Sequence, residues 1–201
     1  MVIGARTIAT GIDKQPAGRA YVGTLGLRDD VVADTEHHGG RDQAVYVYSR
    51  EDYAWWETEL GRSLAGGSFG ENLTLSSFGT DLVRIGDRFH VGPVVLEVTS
   101  PRIPCSTFAT HMAEEGWVRR FRDGERPGFY ARILLEGEVE VGDRVEREPA
   151  PAASLPLLEL FRLHYDRGAD ADRLRQALAA PVDERARADL EKRLARVAAE
   201  L

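Results

Sequence analysis

His90-Val91-Gly92-Pro93-Val94-Val95-Leu96-Glu97-Val98-Thr99-Ser100-Pro101-Arg102-Ile103-Pro104-Cys105 is the stretch on which the fold turns. Its two β-branched runs meet at Gly92-Pro93, a turn signal, so His90 to Thr99 reads as a hairpin. Pro101 and Pro104 then fix φ and remove two backbone donors, and neither a helix nor a central strand can run through them. Cys105, the only cysteine of the chain, is thus delivered by a strand and held by a stiff loop. A thiol that merely fills a core needs no such frame. The rest of the chain is expected to build a pocket around it.

Working outward, residues 2 to 98 have the texture of an all-β protein, with short runs cut by Gly, Asp and Pro. Strands are expected at Val2-Ile3, Arg6 to Ala9, Ala20 to Val22, Ala44 to Tyr48, Asn72 to Leu75, Asp87 to Val91 and Val94 to Thr99. One helix interrupts them: Ser49 is a good N-cap, Glu51 and Asp52 put acids in the first turn, and Gly61 is a natural stop. Tyr53, Trp56 and Leu60 share one face of it, so Trp55 and Trp56 are read as packing residues. A short helix is expected near Gly116 to Phe121, a strand from Gly128 to Leu135, and a last strand from Val139 to Val145. Pro and Ala at residues 148–156 suggest a linker. Beyond it three short amphipathic helices are expected, the first capped by Ser154, the second by Asp170, the third starting near Pro181-Val182-Asp183. They are too short to bury much alone and should pack on each other and on the barrel.

Composition sets limits on function. A net charge of -7 over 201 residues argues against general nucleic-acid binding, which needs a basic face. A lone cysteine makes neither an internal disulfide nor a Cys-based zinc site by itself. The N-terminus has no apolar core of signal-peptide length, and no run approaches the ~20 residues of a membrane span. A cytoplasmic location, away from membranes, is expected, where a thiol stays reduced.

Several short motifs carry potential chemistry. In His37-His38-Gly39-Gly40-Arg41 the glycines let backbone approach a ligand and present bare N–H groups, and His38 is a donor or an acid–base group. The plainer reading is a tight turn. Phe69-Gly70-Glu71-Asn72 is a second glycine-centred turn, whose carboxylate and amide ordinarily bond their own loop. Asp29, Asp30 and Asp34 invite talk of acid–base work, but such acids more often cap turns. Gly86-Asp87 and Gly142-Asp143 read as structural turns that open strands. Cys105 itself has three readings: a small buried hydrophobe, a nucleophile served by His38 or His111 with Asn72, or a soft metal ligand. Arg102, if close in space, would favour its thiolate.

Taken in order, these pieces resemble the MOSC family, the C-terminal domain type of molybdenum cofactor sulfurases that also occurs as free-standing bacterial proteins. The resemblance runs from Ile12-Asp13-Lys14 to Val145. It passes through Gly26-Leu27, His38-Gly39-Gly40 with Ala44-Val45, Phe69 to Leu73, Gly86-Asp87, Pro101 to Cys105, and Gly142-Asp143. It departs at Asp29-Asp30, where the family has Gly-Asp, which argues against a specific role for Asp30. The helical tail resembles the extension of the bacterial subgroup that reduces N-hydroxylated compounds. The resemblance implies a mainly β fold with helices: a MOSC-type β-barrel over residues 1–147, a linker over 148–156 and a three-helix extension over 157–201.

It also implies that Cys105 either ligates molybdenum held by a pyranopterin, the molybdenum cofactor, or carries sulfur as a persulfide. Arg102, His38, Gly39, Gly40, Arg41, Phe69, Gly70, Glu71 and Asn72 are then the candidate cofactor-binding residues, and Cys105, His38 and Asn72 the candidate catalytic ones. The first function expected is oxidoreduction of a small N-hydroxylated substrate such as a nucleobase, with electrons from a separate reductase, because no flavin or iron–sulfur motif is visible. The alternative is a sulfur carrier that accepts a persulfide on Cys105 for metal–sulfur cluster or cofactor sulfuration. A non-catalytic pterin-delivery module and, more distantly, a papain-like hydrolase complete the set. The tail's apolar faces fit a pocket cover, a reductase dock or a homodimer contact.

Overall fold

The computed structural model describes residues 2–3, 6–7, 11–28, 30 and 39–199. Its strands are β1 (Val2–Ile3), β2 (Arg6–Thr7), β3 (Arg19–Gly23), β4 (Gly26–Leu27), β5 (Val45–Ser49), β6 (Leu73–Leu75), β7 (Arg88–Val91), β8 (Val94–Ser100), β9 (Phe129–Leu135), β10 (Gly137–Glu140) and β11 (Val145–Glu148). Its helices are α1 (Arg50–Leu60), α2 (Ser106–Met112), α3 (Trp117–Gly124), α4 (Leu157–Tyr165), α5 (Ala171–Ala179) and α6 (Glu184–Ala199). Six strands form one curled sheet in the order β11-β7-β8-β9-β5-β6, antiparallel except for the β5–β6 pair. A three-stranded sheet, β10-β3-β4, and the β1–β2 pair complete the β structure. The expected mainly β architecture with peripheral helices and a helical C-terminal part is observed, its barrel taking the form of a six-stranded half-barrel.

Strand β5 shows how the sequence divides the interior. All five of its residues are buried. Successive side chains of a strand point to opposite faces, so Val45 and Val47 enter one core while Tyr46 and Tyr48 enter another. The first core is aliphatic. It joins Val94, Leu96, Val98, Ala131 and Ile133 of the sheet to Leu157, Leu160, Leu163, Leu174 and Leu190 of α4, α5 and α6. The terminal helices therefore pack on each other and on the sheet, as their length requires. The second core is aromatic: Tyr46, Tyr48, Tyr53, Trp56, Phe69, Phe108, Trp117 and Phe121. Offset and edge contacts hold it, such as Phe69 on Tyr48 at 4.2 Å and Trp56 on Trp117 at 4.9 Å.

Local signals account for several boundaries. Ser49 Oγ accepts from the Asp52 amide at 3.0 Å, and Gly61 closes α1 in the left-handed region at φ 65°. Asp170 caps α5 through the Arg173 amide. Asp183 Oδ1 accepts from the amides of Arg185 and Ala186 and so caps α6. Other boundaries differ from expectation. Helix α2 begins directly after Cys105, in a stretch where no helix was expected. Val139 to Val145 is not one strand: Gly142 at φ 99° and the Asp143 carboxylate, which accepts from the Glu140 amide, turn the chain between β10 and β11. The two strands then pair with different partners, β3 and β7. Ser154 does not cap α4. The amide of Ile85 donates to Leu155 O and that of Leu157 donates to Val83 O, and this pairing delays the helix start to Leu157.

The Gly86-Asp87 turn is structural, as expected, and central. Asp87 is fully buried and accepts from the amides of Arg84 and Ala150, each at 2.7 Å, and from Arg147 Nη2 at 2.6 Å. Removing one partner of such a pair strands the other, at about 3–5 kcal/mol. Asp87→Ala is therefore expected to lower the melting temperature by roughly 10 °C. A change below 2 °C in a thermal melt would contradict that role.

Candidate functional site

The site grows from the end of β8. Between Val98 and Ser100 the register against β9 slips: Val98 pairs with Ala131, and Ser100 with Tyr130. Thr99 is the residue left over in this bulge. Its Oγ1 donates to Tyr130 O at 3.0 Å and to Asp42 O at 2.5 Å. Glycine-loop residues and β9 are thus tied to one point of the strand. Beyond it, Pro101 to Pro104 carry the chain out of the sheet to Cys105, the N-cap residue of α2. Cys105 is in no disulfide, is half-buried, and packs against the aromatic core.

Arg102 is the unusual member. Its side chain is only 5% exposed, yet it lies among rings: 4.2 Å from the centroid of Phe108 and 4.8 Å from that of Tyr46. Its Nε is buried with no hydrogen-bond acceptor among the described residues. Burial works against its charge, but Tyr130, Tyr46, Cys105 and Glu71 hold its pKa above the ordinary arginine value. The attraction between Arg102 and Cys105 is mutual, so it also favours the thiolate. Cation–π contacts offset part of the desolvation. They do not satisfy N–H donors.

Tyr130 stands beside it. Its ring lies 5.0 Å from that of Tyr46, the ring on which Arg102 also rests. Its carbonyl accepts from Thr99, but its hydroxyl forms no hydrogen bond among the described residues. Burial pushes the Tyr130 phenol up; Cys105 and Asp183 act the same way, and Arg102 and Arg185 oppose them. By contrast the other core tyrosines are committed. Tyr46 donates to Pro127 O at 2.7 Å, Tyr48 to Arg126 O at 2.8 Å, and Tyr53 to Glu71 at 2.6 Å.

The remaining expected site residues fall into three groups. Gly70 lies close: at φ 69° a Cβ there would meet Ile12 at 2.8 Å and Arg102 Nη1 at 3.7 Å, so only glycine leaves room. Glu71 and Asn72 organise loops. Glu71 accepts from the amides of Gly67 and Phe69 and from the hydroxyls of Tyr53 and Thr74. Asn72 accepts from the Tyr46 amide at 2.8 Å and donates to Asp30 at 2.7 Å, while Asp30 also takes the Lys14 ammonium. Phe69 is wholly buried in the aromatic core. Gly39, Gly40 and Arg41 border a short turn over residues 41–43, with Gly39 and Gly40 at φ 73° and 88° and Arg41 exposed. His38 lies outside the described residues, as do His37, Asp29 and Asp34.

The sequence reading missed two contributors. Tyr130 carried a usable signal, because alternation in Phe129-Tyr130-Ala131 puts it on the face opposite Phe129. The start of α6 carried none. The Asp183 amide donates to Thr99 O, the Glu184 amide to Asp42, and Arg185 Nη1 to Gly39 O at 2.9 Å and Gln43 Oε1 at 3.2 Å. The contacts of Glu184 and Arg185 join residues more than 140 positions apart.

The fold and site define a class: a half-barrel domain that presents a thiol near a buried arginine whose Nε has no acceptor among the described residues. The chain belongs to the MOSC domain family, whose model matches residues 34–146. It is similar to YflK of Bacillus subtilis (strain 168), with 39% identity over 142 residues, or 70% of this chain and 64% of that protein. A protein of Gibberella moniliformis named "Reductase" is 27% identical over 173 residues, 84% of this chain but only 31% of that protein. The chain thus spans less than two thirds of either relative. The solved structure of YiiM from Geobacillus stearothermophilus superposes with a TM-score of 0.78 at 28% identity, covering 96% of this chain and 93% of that one.

Because Arg102 is a buried charge whose Nε has no acceptor among the described residues, Arg102→Met should leave the fold as stable or raise the melting temperature by a few degrees. A fall of roughly 5 °C or more in a thermal melt, on the order of 2 kcal/mol, would make the guanidinium structural instead.

Proposed function

We propose that the protein is a molybdenum-cofactor-binding oxidoreductase, one that reduces N-hydroxylated nucleobases or related N-oxygenated compounds. The observation that carries this reading is Arg102, which offers buried, unused donors beside a half-buried thiol. Desolvating a guanidinium without a partner is costly, and an anionic ligand repays that cost. The phosphate of a pyranopterin is such an anion. A thiolate is the soft ligand that a sulfur-rich molybdenum centre prefers. Among the described residues no group of three or more His, Cys, Asp and Glu side chains is placed to hold a metal.

In this reading Cys105 ligates the metal, Arg102 and the amides of Gly39 and Gly40 hold the anionic part, and Gly70 gives it room. His38, Arg41, Phe69, Glu71 and Asn72 form or support the walls. When bound, the cofactor supplies a two-electron redox change. The overall reaction breaks the substrate N–O bond, consumes two electrons and two protons, and releases an amine and water. The electrons come from a separate reductase, and the working compartment is the cytoplasm, where the thiol stays reduced. Membership of the MOSC family and similarity to a protein named "Reductase" support oxidoreduction. The partial accessibility of Cys105 favours a second reading, a carrier that accepts persulfide sulfur.

One comparison separates the two. Wild type and Cys105→Ala are purified from a host that makes the cofactor and assayed for molybdenum and pterin. Wild type is expected to hold both and the variant to lose molybdenum with an unchanged melt. Equal metal in the two proteins ends the ligand role. An added sulfur atom on Cys105, seen by mass spectrometry after incubation with a desulfurase and cysteine, with no molybdenum in wild type, selects the carrier.

A further inference from the structure

Near Cys105 lie hydrogen-bond donors with no acceptor among the described residues. Arg102 is a donor in every protonation state it can reach. Tyr130 has a hydroxyl with no partner among the described residues, in a core where Tyr46, Tyr48 and Tyr53 all donate to an oxygen of the protein. The two lie on the same ring, Tyr46, one at 4.8 Å and the other at 5.0 Å. The bulge at Thr99 fixes the Tyr130 backbone against the strand that leads to Arg102 and Cys105. The charged groups that act on the phenol are Arg102, Cys105, Asp183 and Arg185, drawn from the thiol loop and from the start of α6. A phenol placed so has no acceptor among the described residues and is available to one.

We propose that the Tyr130 hydroxyl donates a hydrogen bond to the oxygen of the bound substrate, so that Tyr130 selects an N–O compound over its deoxygenated amine. This rests on the oxidoreductase reading for the identity of the ligand. It adds the residue that recognises the scissile oxygen and the reason the site prefers an acceptor there. A polar site built for a hydrogen bond discriminates against the analogue that lacks the group, because its own donor is then left unpaired. The product amine has lost that oxygen, so the same residue eases product release. Tyr130 is thereby a specificity residue, distinct from Cys105.

The test uses a matched pair, N4-hydroxycytosine and cytosine, with wild type and Tyr130→Phe. Both proteins are purified from a host that makes the cofactor, and their metal and pterin contents are measured first. Binding of each compound is followed by calorimetric titration under non-reducing conditions, which needs no turnover. The variant is expected to bind N4-hydroxycytosine about tenfold more weakly, with cytosine changed less than about twofold. KM for the hydroxylated base should rise to match while molybdenum content stays the same. Equal weakening of both compounds would make Tyr130 a shape-giving side chain and overturn the proposal, as would no change in either. Absence of cofactor and turnover in wild type would end the oxidoreductase reading, while the titrated pair still decides Tyr130.

Discussion

A guanidinium pressed between the rings of Phe108 and Tyr46, with a buried Nε that has no acceptor, is the constraint around which this molecule is arranged. A charge in such surroundings persists only if its position is over-determined. Pro101 and Pro104 stiffen the loop on either side of Arg102. Phe108 comes from the helix that begins after Cys105, and Tyr46 from strand β5, between β9 and β6. The tyrosine hydroxyls that could have turned toward the charge are drawn instead to the backbone at Arg126 and Pro127 or to Glu71. The result is a dry aromatic floor with unused donors at one edge. A buried charge with an unmet donor lowers stability, and departures of this kind from local consistency concentrate at functional sites.

Two interiors coexist because strand alternation sorts them. Valines of β5 go to the aliphatic core and its tyrosines to the aromatic one. The aliphatic core is a scaffold in the plain sense: it holds the sheet and the terminal helices in one hydrophobic unit. The aromatic core has polar handles, Tyr and Trp, whose hydrogen bonds fix ring orientation as well as position.

Much of this was readable from residue order. Alternation gave the strands, Ser49 and Gly61 bounded α1, and the Gly92-Pro93 hairpin led to the proline-framed cysteine of the candidate site. The loop-organising roles of Glu71 and Asp87 followed from turn chemistry. What escaped was long-range. Nothing in Asp183-Glu184-Arg185 announces that these residues meet the glycine loop, because the contact is set by how α6 packs on the sheet and not by any local pattern. Tyr130 escaped for a different reason: a tyrosine in an alternating strand has an ordinary explanation until the absence of a partner for its hydroxyl is seen. Helix α2 was hidden by the prolines just before it, which forbid a helix through them but not one directly after.

The contacts between the start of α6 and the glycine loop have a consequence in time. A ribosome makes residue 39 long before residue 185, at about 5–20 residues per second. Until Arg185 emerges and docks, Gly39 and Gln43 lack the guanidinium that ties them together. The half-barrel can collapse earlier on its own hairpins, but the mouth of the site stays unbraced until the last helix arrives. The bracing of the glycine loop is thus a late event in the making of the chain.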